Sequence, residues 1–208
     1  VNGGYNILMA QNTMYKVGKR DHVIEVVFGL RTCDGNTSEC QNRINQGGWG
    51  STNEEVFIGN KHVYIFNNIV YNPSPYRSRW TQFAIYGPRE QPIGTRNAPL
   101  QAIADADLQI KGNIIWNGPT DMELGVGDEE GCQDNNPTCN AFQLKSDNAI
   151  NTIEPQFVGA GNGDFRPASN SNILTARTVP FPTLTWNDAP ASPKAPTGNV
   201  ISLPFTKY

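Results

Sequence analysis

Val63-Tyr64-Ile65-Phe66-Asn67-Asn68-Ile69-Val70-Tyr71-Asn72-Pro73 is the stretch on which the reading of this chain turns, because it occurs again. An earlier copy starts at Ile7-Leu8-Met9-Ala10-Gln11-Asn12, a later one at Leu108-Gln109-Ile110-Lys111-Gly112-Asn113. With Asn12, Asn68 and Asn113 in register, an apolar residue stands five positions before each (Ile7, Val63, Leu108). Another stands three before (Met9, Ile65, Ile110), and an aromatic three after (Tyr15, Tyr71, Trp116). Two copies then continue into Asn and a turn, at Asn72 and Asn117.

Alternation with period two marks a strand with one buried face. Asn interrupts it and a second short apolar run follows. Strand, corner, strand, repeated, is the pattern of a solenoid, in which no unit buries its apolar face alone and neighbours must stack. In such a stack Asn suits a corner, where it tolerates left-handed backbone, and its amide can bond the matching Asn of the next unit. The competing reading is three unrelated strands with Asn in ordinary turns. The spacings of 56 and 45 residues require loops of unequal length between units.

These repeats resemble right-handed parallel β-helix proteins of the pectate-lyase-like superfamily, of a secreted bacterial type. A second segment carries the same resemblance: Ile153-Glu154-Pro155-Gln156-Phe157-Val158, followed by Gly163-Asp164-Phe165-Arg166-Pro167 and Ser169, looks like the closing segment of secreted β-helix repeat proteins. The match runs over roughly residues 3 to 175. It implies an all-β fold, a short right-handed parallel β-helix of about three to four coils. It does not select an activity, since this superfamily hosts lyases, hydrolases, epimerases, adhesins and phage spikes.

Composition agrees with a turn-rich β protein: 20 Gly, 15 Pro and 17% charged residues in 208. No convincing amphipathic helix period is visible. A net charge of −3 draws the chain neither to nucleic acid nor to an anionic membrane. No apolar run is long enough to span a bilayer. Val1-Asn2-Gly3-Gly4 reads like mid-solenoid sequence without a polar cap. The expectation is a C-terminal part of a longer solenoid, or a first coil covered by another copy or by an N-terminal fragment of the same precursor.

The cysteines form two pairs of identical spacing, Cys33 with Cys40 and Cys132 with Cys139, each bracketing a polar loop. Local disulfides are the simplest reading and imply a secreted or cell-surface location. Zinc is the rival, though the spacing is poor for it and there are only two His. The same loops carry Asp34, Glu39, Asp128 and Glu130, oxygen ligands suited to Ca²⁺, with solvated acidic loops as the competing reading. Asn36-Thr37-Ser38 is a glycosylation sequon, meaningful only in a eukaryotic host.

One domain is the default at this length, read as the solenoid at 1–175 with a Pro-rich extended arm at 176–208. Pro180, Pro182, Pro190, Pro193, Pro196 and Pro204 exclude a helix from the arm. Phe181, Leu184, Trp186, Ile201, Leu203 and Phe205 are too apolar for a free tail, so it packs on the solenoid or on a neighbour.

For chemistry, the resemblance implies acidic polysaccharide and β-elimination. That reaction needs the uronate carboxylate neutralised and a base near the C5 proton. Lys19-Arg20-Asp21-His22, with Glu25 and Arg31, is the one local convergence of cation, base and carboxylate types. Arg20, His22, Glu25 and Arg31 are therefore the candidate catalytic residues, against a solvated corner as the plain alternative. Arg77, Arg79, Trp80 and Tyr86 are the candidate polysaccharide-binding residues, since aromatic faces stack on sugar rings and arginines pair with acidic sugars. Glu25 with Asp105 or Asp107 would suit a hydrolase if the coils stack in phase. A second class of function is a non-catalytic adhesin, spike or filament subunit.

Overall fold

The computed structural model describes residues 1–31, 36–46, 56–74, 76–90, 99–118, 120–127 and 130–183. The three repeat copies become three strand–corner–strand units. Their first strands are β1 (Gly4–Ala10), β6 (Asn60–Phe66) and β11 (Ala106–Lys111). Their second strands are β2 (Thr13–Tyr15), β7 (Ile69–Asn72) and β12 (Ile114–Asn117). First strands pair only with first strands, in parallel, in the order β1-β6-β11. Second strands do likewise, and β13 (Ala149–Ile150) adds a fourth after β12.

The register follows the sequence alignment. Ile7, Val63 and Leu108 stand in register across the first sheet, and so do Met9, Ile65 and Ile110. β3 (Ile24–Val26) pairs in parallel with β8 (Phe83–Ile85), so the strands that follow the first two units stack as well. The inward residues of all three parallel sheets meet in one apolar core that contains Ile24, Val26, Val63, Ile65, Val70, Phe83, Ile85, Leu108, Ile110 and Ile115. Each such side chain contributes roughly 1.5–3 kcal/mol on burial. The chain is thus mainly β, with parallel sheets and few helices.

Two rows of asparagines run through the stack. Asn68 Oδ1 accepts from Asn12 N at 3.0 Å and Asn12 Nδ2 at 2.9 Å. Asn113 Oδ1 accepts from Asn68 N and Nδ2, both at 2.9 Å. Asn148 Oδ1 accepts from Asn113 N at 3.1 Å and Nδ2 at 2.8 Å. The second row passes from Val17 N to Asn72 Oδ1, from Asn72 Nδ2 to Asn117 Oδ1, and from Asn117 N to Asn151 Oδ1. At each corner the amide satisfies backbone groups that no sheet reaches.

The left-handed backbone sits one residue before the row, not on it. Gln11, Asn67 and Gly112 have φ of 57°, 55° and 69°, whereas none of Asn12, Asn68 and Asn113 has a positive φ. Gly112 has a second reason to be glycine: a Cβ there would collide with Asn67 Oδ1. A further left-handed column, Asn6, His62 and Asp107 at φ 58°, 55° and 50°, bends the first strands.

The loops contain helices that the sequence pattern did not announce: α1 (Thr37–Asn45) and α2 (Ala141–Asp147). Two turns are too short to display a period, and both are set by their caps. Asn36 Oδ1 accepts from Glu39 N, and Asn140 with Gln143 forms a reciprocal capping box. β4 (Gly29–Arg31) pairs antiparallel with β5 (Val56–Ile58), and β9 (Arg89–Glu90) with β10 (Gln101–Ala102).

Beyond β13, β14 (Phe157–Gly159) and β15 (Asp164–Pro167) form an antiparallel hairpin rather than another stacked unit. Phe157 packs on Tyr71, and Phe165 on Tyr15, so the hairpin covers the aromatic column of the repeats. The following segment docks through Asn67, whose Nδ2 donates to Val179 O at 2.8 Å while its Oδ1 accepts from Val179 N at 2.9 Å.

Cys132 and Cys139 form a disulfide and are buried. Cys40 is also disulfide-bonded, and Cys33 lies outside the described residues. Asp34, Asp128, the side chain of Arg31 and the arm beyond residue 183 also lie outside them. No helix among the described residues is long and apolar enough to cross a membrane.

Candidate functional site

The third strands, β3 and β8, bring together two stretches that the sequence separates by more than fifty residues. Just before β3, Asp21 and His22 occupy a turn; just before β8, Arg79, Trp80 and Thr81 occupy the equivalent one. The parallel pairing of Ile24 with Phe83 lays one turn on the other. His22 Nδ1 meets Thr81 Oγ1 at 2.8 Å, and the imidazole packs on the Trp80 indole at 5.1 Å between centroids. Arg79 N donates to Asp21 O at 3.1 Å.

The hydrogen bonds assign the ring tautomer. Thr81 Oγ1 donates its single proton to Phe83 O at 2.6 Å, so toward His22 it can only accept. Nδ1 therefore carries hydrogen. Nε2 points toward Asp21, with Oδ1 at 3.6 Å. Glu25, on β3, completes the group: one ligand-type atom from each of Asp21, His22 and Glu25 lies within 4.8 Å of the others. Burial, and then contact with the Asp21 carboxyl, pushes Glu25 above the ordinary glutamate range.

Beside this corner opens a cleft of about 480 Å³ lined by Arg77, Arg79, Trp80, Thr81, Asp121, Met122 and Glu123. Trp80 is 49% exposed there, and the Arg79 guanidinium lies 5.6 Å from its ring. A second cleft of about 520 Å³ shares Asp121, Met122 and Glu123, and extends to Lys145 and Thr152.

The expected residues therefore divide. His22, Glu25, Arg79 and Trp80 belong to one neighbourhood, with Arg77 on its cleft. Arg20 is exposed, with no hydrogen bond or ion pair among the described residues. Tyr86 is not part of the cleft lining; its ring meets Phe28 edge-on at 5.5 Å. Of the calcium candidates, Glu39 is engaged by Arg43 Nε at 2.9 Å, and Glu130 is exposed. Neither belongs to a group of converging ligands among the described residues.

Asp105 and Asp107, the carboxylates considered with Glu25 for a hydrolase, are both engaged in hydrogen bonds. Asp105 Oδ2 accepts from Cys132 N at 2.7 Å and Asn136 Nδ2 at 2.8 Å, which anchors the disulfide loop. Its neighbours Cys132 and Cys139 are joined to each other and offer no thiolate to a metal. Asp107 Oδ2 accepts from Tyr64 Oη and faces His62 Nδ1, both at 2.6 Å, and its Oδ1 accepts from Gln109 Nε2 at 2.8 Å. Burial pushes the Asp107 carboxyl up, but these three hydrogen bonds outweigh it and hold the group below the ordinary range.

Sequence reasoning missed the link between His62 and Asp107. The signal was present: both stand six residues before a ladder Asn, as Asn6 does. It also missed Thr81, because a lone Thr in a loop has no signature until the strand register places it under His22. No family model, curated protein or solved structure matches this chain.

Proposed function

We propose that the stacked units form a right-handed parallel β-helix of the pectate-lyase-like kind, and that the chain is an extracellular carbohydrate-active protein that binds acidic polysaccharide in the Arg77–Trp80 cleft. The observation that carries this reading is the meeting of an exposed Trp80, two exposed arginines and the His22–Glu25 corner on one surface. The Trp80 indole offers a face for a sugar ring. Arg77 and Arg79 are placed to pair with uronate carboxylates. His22, in its Nδ1-protonated form, offers an Nε2 lone pair as the base for β-elimination. The arginines supply the charge that makes the C5 proton acidic.

The test of binding is a titration of intrinsic tryptophan fluorescence with polyuronate, wild type against Trp80→Ala and Arg79→Ala. Saturable change in the wild type, lost in Arg79→Ala, supports the reading. Identical titrations in wild type and Arg79→Ala remove the cleft from it.

A second reading, a non-catalytic surface or assembly subunit, has its own observation. The first asparagine row is polarised, and Asn12 Oδ1 accepts no hydrogen bond among the described residues, while β1 and β2 are edge strands. Such an edge accepts a further strand. Sedimentation velocity decides it: concentration-dependent association favours this reading, and a monomer over the whole range opposes it.

A further inference from the structure

The corner beside the cleft is unusual in its balance of hydrogen-bonding groups. With Thr81 holding the Nδ1 proton of His22, the atoms that converge there are a ring nitrogen lone pair and two carboxylates, Asp21 and Glu25. All three are acceptors. No lysine or arginine forms an ion pair with either carboxylate among the described residues.

We infer that Asp21, His22 and Glu25 form a binding site for a first-row divalent cation of the zinc or manganese kind. One nitrogen and two oxygen donors suit such an ion, whereas calcium takes six to eight oxygens and no imidazole. The contact from His22 to Thr81 lies outside the ligand set and does what the outer partner of a metal-ligating imidazole does: it fixes the tautomer and aims the free nitrogen. Three protein ligands leave coordination positions open toward solvent, because Asp21 is 53% exposed.

This inference concerns the protein alone and does not rest on the polysaccharide reading. The two interact in one respect: a cation on Nε2 occupies the lone pair that proton abstraction would use. Loading the site then slows cleavage instead of supporting it.

The experiment is isothermal titration calorimetry of the whole chain with Zn²⁺ and with Mn²⁺, in the absence of polysaccharide. One site per chain is expected, lost in His22→Ala and in Glu25→Gln. Thr81→Val, which removes the outer acceptor together with the hydroxyl's bond to Phe83 O, is expected to weaken binding about 10–100-fold. Far-ultraviolet circular dichroism shows which variants keep the wild-type fold. Imidazole ¹⁵N spectra of the wild-type protein give an answer that needs no variant: Mn²⁺ broadens one His resonance at Nε2 while its Nδ1 remains protonated. Absence of binding below about 1 mM, or unchanged binding in a folded His22→Ala, overturns the assignment. So does a spectrum in which neither His responds to Mn²⁺.

Discussion

His22 Nδ1 and Thr81 Oγ1 lie 2.8 Å apart across 59 residues of chain, held by the parallel pairing of β3 with β8. The contact sets which ring nitrogen faces Asp21. Thr81→Ser keeps the hydroxyl and is expected to retain activity, whereas Thr81→Val releases the ring. His22→Ala removes the proposed base and should lower kcat by about 10²–10⁴-fold. Steady-state rates on whichever polysaccharide is turned over, with and without the substitutions, check this ordering.

The asparagine rows make a sharper statement about stability. Asn113 is buried, and its loss would leave the backbone N–H of Asn68 and one proton of Asn68 Nδ2 without their acceptor. Each stranded group costs roughly 1–3 kcal/mol, so Asn113→Ala should destabilise by roughly 2–6 kcal/mol. Asn12→Ala, at the exposed end of the same row, should cost about 1 kcal/mol or less. Urea unfolding of the two variants measures the difference, and equal losses would mean that the row is not a structural device.

Asp107 predicts a pH dependence whose sign is fixed. Its folded value lies below the unfolded one, so the stability it adds is complete above the unfolded carboxylate range and disappears as pH falls through the folded value. Asp107→Asn keeps the size and the tolerance of φ 50° but cannot be ionised. The gap in urea midpoint between wild type and Asp107→Asn should be widest near neutrality and close only at acid pH, once the folded carboxyl is protonated. A gap that widens on acidification would contradict the arrangement of Tyr64, His62 and Gln109 around the carboxylate.

Much of this architecture was legible in the repeats. Period-two alternation at Val63 and Ile65, and the fixed offsets of Asn68 and Tyr71, foretold both sheets and their register, because stacking forces equivalent residues onto equivalent positions. The inward placement of Ile24, Val26 and Phe28 followed from the same alternation. α1 and α2 were not legible, since capping by Asn36 and Asn140 fixes them more than any period does. The corner conformation was misplaced by one residue, because Asn is merely permitted left-handed backbone, and in this stack its amide is needed for the row instead. The site was half visible. His22 and Glu25 stood out as local chemistry, as did Arg79 and Trp80, but only the pairing of β3 with β8 puts them side by side.

Charge in the cleft gives a prediction of opposite sign to the usual loss-of-function test. Asp121 and Glu123 share the lining with Arg77 and Arg79 and work against a polyanion there. Removing both charges in Asp121→Asn/Glu123→Gln should tighten polyuronate binding about 2–5-fold at low salt, in line with exposed charge interactions of roughly 0.3–1 kcal/mol. The gain should fade as ionic strength rises. Affinity electrophoresis over a salt series reads both effects, and weaker binding in the double variant would place the polysaccharide elsewhere.

The most direct measurement of the functional account is incubation of the purified chain with a panel of acidic polysaccharides, each with and without chelator, followed by the ultraviolet absorbance of the unsaturated product. The account predicts a rise on at least one polyuronate, absent in His22→Ala and undiminished by chelator. A flat trace over the whole panel with folded, intact protein would contradict β-elimination and leave the cleft, at most, a binding surface.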